Sequence, residues 1–296
     1  MALTRSHLLL VLTCFGFSFV LIFSTILKNM EVSSLQQVLF RIILASPLIL
    51  LLIKGKIKLE KRDMPYFAAT GLAFSAFLFS ALSSIVFGCP VAVTTALVYT
   101  QPFHTAVLSA LSGREKMNAK KIAVIAVGVV GIFLVSGVLT EPISSLNVSG
   151  LFLALLAGFF YALYLYLKRM LKVGYTPLQG LFNTFLFAVP CTLFLGLILR
   201  TFTVNPNFVG FSMPNAEQFA ILFLFASFST ALPYGSLNHV KPREVSPTTE
   251  GMILLLDPVL HNLWAVLILR QYVAPVRYAG VGLILASAAA MLRMKG

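Results

Sequence analysis

The chain is short of charge, acid, cysteine and tryptophan. Charged residues make up only 10% of its 296 residues, and Asp and Glu together number 9. A soluble domain carries about 25% charged residues. With 59% hydrophobic residues and a mean hydropathy of +0.95, the chain cannot hide its apolar surface in a water-soluble fold. The three cysteines (Cys14, Cys89, Cys191) are scattered and form neither a CxxC nor a Cys/His pattern. They read as small apolar side chains, with no disulfide framework and no metal site. No Walker A loop, H-E-x-x-H or G-x-S-x-G is present, so nucleotide hydrolysis, zinc proteolysis and serine hydrolysis lack their machinery. The expectation is a protein that is not an enzyme and uses no cofactor.

What is present is apolar length. A spanning helix needs about 20 apolar residues, and ten runs qualify, at about 6–28, 33–53, 65–87, 90–111, 120–139, 148–170, 176–199, 216–239, 245–269 and 274–294. Continuous runs exclude a membrane β-barrel, whose strands alternate over about 10 residues. The first run has no small-x-small cleavage site and nine runs follow it, so it reads as a retained helix. No gap is long enough for a soluble module.

The net charge of +13 is unevenly placed. With the N-terminus in the cytoplasm, 17 Lys/Arg fall in inner segments, 4 (Lys28, Arg200, Arg270, Arg277) in outer ones, and Arg41 within a helix. This is the positive-inside bias, and it puts both termini in the cytoplasm. Anionic lipid headgroups, not nucleic acid, are the expected partners of these clusters. A prokaryotic cytoplasmic membrane is the simplest location. Asn147-Val148-Ser149 is a formal glycosylation sequon that matters only in a eukaryotic secretory pathway.

A polar pattern occurs twice. Thr94, Gln101-Pro102 and Thr105 return 156 residues later as Glu250, Asp257-Pro258 and His261. At about 100° per residue, positions i, i+7 and i+11 share one face of a continuous helix. The same shift places Arg114 on Arg270, Glu115 on Gln271 and Lys121 on Arg277. The expected architecture is therefore an all-α polytopic membrane protein of ten transmembrane helices. It divides near residue 145 into repeats 1–145 and 146–296. Five crossings are odd, so the second repeat is inverted, and the two halves face a shared cavity. Gly128 and Gly131, with Gly280, Gly282, Ala286 and Ala290, let backbones approach closely, for static packing or for rocking.

The residues Tyr99-Thr100-Gln101-Pro102 through Gly113-Arg114-Glu115, echoed by Leu256-Asp257-Pro258 through Arg270-Gln271 and joined by Arg41, resemble the drug/metabolite transporter superfamily. The likeness is to its ten-helix members built from two EamA repeats, and it covers nearly the whole chain. It implies transport, with export of amino acids or related metabolites favoured. A glutamate that the family places before the proline stands here as Gln101 and Asp257. The later glutamate is kept as Glu115 and replaced by Gln271.

The residues supply candidates for such work. An ionised group at the bilayer midplane costs about 2.5–3.5 kcal/mol on insertion scales, so Asp257 should face a cavity or a partner. It either holds a substrate ammonium group or exchanges a proton, or it is structural and caps backbone freed by Pro258. Glu250 is a second proton or cation site, or lies in a wet vestibule. His261, four residues from Asp257, forms a proton relay with it or is a satisfied core histidine. Tyr99, Gln101, His104 and Thr105 are candidate cavity residues of the fourth run. Tyr161 and Tyr234, with Phe15, Phe19 and Tyr164, are candidate walls; Asn183 and Asn238 are polar candidates without assigned partners. Arg41 either binds a substrate carboxylate or snorkels.

The reading is a secondary transporter of a small organic solute, coupled to protons or working by exchange or facilitated diffusion, and acting as a monomer. The rivals are a transporter of nucleotide-linked, phosphorylated or cationic drug-like solutes, and a non-transporting or lipid-handling membrane protein. A polyanion would want several cavity cations, and only Arg41 lies well inside a run.

Overall fold

Four of the apolar runs are interrupted, and two of these carry the repeated polar pattern. The computed structural model describes residues 4–87, 89, 91–136, 147–171, 174–202, 206–267 and 274–294, and these contain helices and turns but no strand. The helices are α1 (Arg5–Phe17), α2 (Val20–Asn29), α3 (Ser34–Leu52), α4 (Met64–Val86), α5 (Val91–Val98), α6 (Gln101–Leu111), α7 (Ala119–Ser136) and α8 (Val148–Lys168). They continue with α9 (Pro177–Arg200), α10 (Pro206–Val209), α11 (Ala216–Ala226), α12 (Leu232–Asn238), α13 (Pro247–Leu254), α14 (Leu256–Leu267) and α15 (Pro275–Arg293). A π-helical segment, Ser227–Ala231, joins α11 to α12.

Among the described residues, eight stretches are long and apolar enough to cross a membrane: Arg5–Asn29, Ser34–Leu52, Lys61–Ser84, Ala119–Ser136, Val148–Lys168, Pro177–Arg200, Ala216–Asn238 and Pro275–Arg293. The runs at 90–111 and 245–269 are not in that set, and each is split, into α5/α6 and α13/α14. Proline explains both breaks. It has no N–H and its ring clashes with the carbonyl four residues back. Four residues before Pro102 is Val98, the last residue of α5; four before Pro258 is Leu254, the last residue of α13. The expectation of one continuous helix face for each polar set is therefore corrected: each set straddles a break.

Local signals set the other boundaries. The Ser33 side chain accepts from Gln36 N at 3.2 Å. Thr176/Gln179 and Asn215/Gln218 form reciprocal capping boxes at α9 and α11. Asn147 caps α8, accepting from Ser149 N and Gly150 N, which gives this sequon residue a structural task.

Packing pairs the elements symmetrically. α4 lies against α8 and α9, while α11 and α12 lie against α3 and α1. α5 and α6 pack on α8, while α13 and α14 pack on α1. α7 runs along α15, α3 along α9 and α6 along α13. Exchanging α1 with α8, α3 with α9, α4 with α11–α12, α5–α6 with α13–α14 and α7 with α15 leaves this set of pairings unchanged. At the centre, the Phe74 ring touches Tyr234, Tyr164 and Phe185 at centroid distances of 4.9, 5.2 and 5.6 Å. The expected boundary near residue 145 lies outside the described residues, as do Arg270, Gln271, Lys172 and Lys295.

The basic loops gather at one end. Ser6 Oγ donates to Glu244 at 2.7 Å and Ser246 Oγ to Glu115 at 3.1 Å. Arg169 donates to Val245 O at 2.8 Å, and Asn183 donates to Lys58 O at 2.8 Å. At the other end Ser33 donates to Gly210 O and Gln218 to Met30 O.

The α7–α15 crossing depends on glycine. A Cβ at Gly280 would stand 2.7 Å from both Gly131 O and Val135 N, and one at Gly131 would stand 3.0 Å from Gly280 O. Backbone atoms cannot yield as a side chain would. Gly282, in contrast, has open space where a Cβ would go. We expect Gly280→Val to lose about 1–3 kcal/mol of stability by overpacking, read as a lowered unfolding midpoint in detergent. Gly282→Val should leave that midpoint nearly unchanged.

Candidate functional site

The two proline breaks face each other. Tyr99 occupies the gap between α5 and α6, and Asp257 stands in the first turn of α14, just past the break at Leu255. The Tyr99 hydroxyl donates to Asp257 Oδ2. Asp257 is buried, and the positive end of the α14 dipole favours a carboxylate there. One turn on, His261 Nδ1 lies 3.1 Å from Asp257 Oδ1. The approach lacks hydrogen-bond geometry, so Oδ1 and both imidazole nitrogens have no hydrogen-bond partner among the described residues. Buried polar groups are nearly always satisfied. Asp257 and His261 bring three exceptions together at one place.

These groups open onto a cavity of about 190 Å³. Its walls include Tyr99, Asp257, His261, Tyr161, Tyr234 and Arg41, together with Thr94, Thr95, Phe17 and Phe77. Phe77 stacks on Tyr161 with centroids 4.4 Å apart, and Phe17 meets Tyr234 edge-on at 4.8 Å. Arg41 enters from α3. Its Nε donates to Thr230 Oγ1 at 3.1 Å and its Nη2 to Ser229 O at 3.2 Å. Both acceptors belong to the π-helical segment. The guanidinium also sits 4.3 Å over the Phe225 ring, a favourable cation–π position. No carboxylate pairs with Arg41 among the described residues.

Four candidates lie elsewhere. Gln101 is fully buried, donates to Gly251 O at 3.1 Å and accepts from Thr105 Oγ1 at 3.1 Å. Both side chains are thus used in joining α6 to α13. His104 faces an outer groove with Phe103 and Val107. Glu250 is held by Lys168 Nζ at 2.6 Å and by Arg169 Nη2 and Nε at 2.5 and 2.8 Å. It is neither in a wet vestibule nor on the cavity wall, because two cations from the end of α8 reach it first. Among the wall candidates, Phe15 and Phe19 pack on Trp264, and Asn238 joins Tyr164 to the Tyr234 carbonyl. Sequence reasoning missed Phe17, Phe77 and Thr95, which carry no signal apart from the many other apolar and hydroxyl residues. It also missed the π segment, which only the register reveals.

The basic end is sealed by ion pairs. Beside the Glu250 triad, Glu115 accepts from Lys121 Nζ at 3.0 Å and from Thr248 Oγ1 at 2.8 Å and N at 3.2 Å. Lys168 Nζ also donates to Leu237 O at 2.8 Å. Lys121 and Lys168 are therefore buried structural cations, which corrects their assignment to lipid headgroups. Burial alone would raise the Glu115 pKa, but the hydrogen bonds from Lys121 and Thr248 outweigh it and hold the carboxyl below its ordinary value.

Eight apolar stretches among the described residues, long enough to cross a membrane and packed around a largely apolar cavity at paired helix breaks, mark a multi-pass integral membrane protein. The EamA-like transporter family matches residues 4–137 and 148–293; the chain belongs to this family, and is a membrane transporter of the drug/metabolite transporter superfamily. Members of the family are transporters and not enzymes. A solved structure, titled only "Crystal structure of protein", is similar in fold, with a TM-score of 0.78 at 12% identity. That likeness covers 98% of this chain and 99% of the other. No curated protein matches the chain.

Two predictions follow the ion pairs. Removing one member of a buried pair leaves its partners uncompensated, at about 3–5 kcal/mol. Glu250→Gln should lower stability on that scale, read by thermal unfolding in detergent. For Glu115 the folded pKa is depressed, so its contribution is present above the ordinary carboxyl value and is lost as pH falls through the folded value. The gap in unfolding midpoint between the wild type and Glu115→Gln should be widest near neutrality. It should close as pH falls below 4.5, the ordinary value for glutamate.

Proposed function

We propose that the protein is a secondary active transporter that exports a small zwitterionic organic solute, an amino acid or a related metabolite, by alternating access. The observation that carries this reading is the composition of the central cavity. One wall bears the Asp257–Tyr99–His261 group and another bears Arg41, which has no carboxylate partner among the described residues. Asp257 suits an ammonium group and Arg41 a carboxylate, which it can grip with its planar fork. Tyr161, Tyr234 and Phe77 supply apolar walls. Two charged groups of opposite sign on an otherwise aromatic surface favour a zwitterion over a polyanion.

In this reading the broken pairs α5–α6 and α13–α14 each count as one crossing, with α1–α2 and α11–α12 likewise. The chain then crosses ten times, as two five-crossing repeats of opposite orientation. The symmetric pairing of elements supports that arrangement. The 17-to-4 distribution of basic residues supports cytoplasmic termini, in a prokaryotic cytoplasmic membrane, and ten crossings enclose the cavity within a monomer. The Glu250 and Glu115 clusters close the cytoplasmic side. Inward opening requires α13 to leave Lys168, Arg169 and Glu115, and the proline breaks are the natural hinges. Asp257 and His261 exchange the coupling proton.

The test is counterflow in proteoliposomes with panels of amino acids, sugars and nucleotides, with and without a pH gradient. Uptake of zwitterions is expected. It should be lost in Asp257→Asn while the protein stays folded, and Arg41→Gln should raise the apparent KM by about tenfold, the worth of about 1.4 kcal/mol. Normal zwitterion transport in both variants would sink the reading.

A further inference from the structure

A second cavity, of about 310 Å³, lies at the basic end, away from the aromatic one. That volume is at the lower end of the range for ligand pockets. Its lining is of two kinds. Met291, Leu292 and Met294, of the last helix and the residue after it, are apolar, and Arg114, Arg243 and His7 are polar. Two other charged residues on its lining are already committed. Lys121 pairs with Glu115 at 3.0 Å, and Glu244 pairs with Lys241 at 3.0 Å while accepting from Ser6 at 2.7 Å. Arg114 and Arg243 are in none of the ion pairs among the described residues; Arg114 only rests 5.4 Å over the Tyr166 ring. His7 is buried, and its Nδ1 accepts from Thr4 N at 3.1 Å, so the ring's remaining polar atom is Nε2, the proton-bearing nitrogen of that tautomer. The N-terminus of α13, which also borders the cavity, has no spare donors there. Thr248 N donates to Glu115 and Thr249 N to Ser246 Oγ.

We propose that this cavity binds a phosphate group, with the guanidinium groups of Arg114 and Arg243 and the imidazole of His7 as its donors. Two arginines outside the ion pairs of the described residues line one cavity, and a guanidinium can grip phosphate oxygens bidentately. The methionine and leucine side chains accept whatever apolar body the phosphate carries. An anionic phospholipid and a soluble phosphate ester share this chemistry, and each juxtamembrane cation contributes attraction to an anionic headgroup. The site does not rest on the transport reading, since it shares no residue with the central cavity. It does share Lys121, Ser246 and Thr249 with the contacts that anchor α13.

The experiment is native mass spectrometry of the full chain in detergent, titrated with dioleoyl phosphatidic acid and, separately, dioleoyl phosphatidylcholine. The wild type should retain one phosphatidic acid in preference to phosphatidylcholine. Arg114→Gln with Arg243→Gln should weaken that binding by about tenfold or more, given the worth of two cations near an anionic headgroup. Arg243→Gln alone, on an exposed loop, should weaken it in part. Arg114→Lys with Arg243→Lys should restore part of the loss, which a misfolded protein would not. Lys56→Gln with Arg62→Gln, on the loop between α3 and α4, should leave binding unchanged. Competition by glycerol 3-phosphate or inorganic phosphate would assign the site to a soluble phosphate; resistance to both would assign it to a lipid headgroup. Equal retention of the two lipids, or equal losses from the remote pair and from the Arg114/Arg243 pair, would overturn the proposal.

Discussion

The bond between Tyr99 and Asp257 holds the two broken helices to one another, and the site depends on it. Prolines 102 and 258 each remove a backbone hydrogen bond from the interior of an apolar run. In a bilayer the freed groups cannot turn to water, so such breaks persist only where protein or a wet cavity surrounds them. Here each break is packed against the other half of the chain. Tyr99 reaches from one to the carboxylate at the other, and Gln101 adds a second tie through Gly251 O at 3.1 Å. Polar groups at the cavity are thus also the ones that make the breaks tolerable.

Buried charge is distributed on one plan throughout the molecule. At the basic end, Glu250 faces two cations and Glu115 faces one. These pairs are short, buried and rich in accessory hydrogen bonds, the conditions under which attraction offsets desolvation. In the centre the pattern reverses. Arg41 is held by a hydroxyl, a carbonyl and an aromatic face, none of which cancels its charge. Asp257 meets the His261 imidazole at 3.1 Å and the Tyr99 hydroxyl. The two places differ in charge compensation: the carboxylates of the basic end face lysine and arginine, whereas Arg41 faces no carboxylate among the described residues.

Close packing supplies the rest of the frame. Lipid tails are as apolar as leucine, so helices in a membrane associate through van der Waals fit and interhelical hydrogen bonds. The Gly131–Gly280 crossing joins α7 to α15 at backbone distance, and the Phe74 cluster fills the space among α4, α8, α9 and α12.

The sequence by itself determined the membrane class, the runs that became long helices, the repeat of polar positions at a spacing of 156 and the gathering of basic loops at one end. These follow from hydropathy and local chemistry, which act within a few residues of their source. Tertiary structure alone decided which polar groups meet. Asp257, His261, Tyr99, Tyr161, Tyr234 and Arg41 share a cavity, while Gln101, Thr105, His104 and Glu250 do not. Extrapolating a helix through Pro102 and Pro258 gave a single polar face that the breaks abolish, since rotation at a break resets the phase of every residue beyond it. Glu250 and Asp257 are the two acids of one apolar run, and by sequence both are candidates for proton or cation binding. What distinguishes them is Lys168 and Arg169, about 80 residues away in the chain and brought to Glu250 by the packing of α8 on α13.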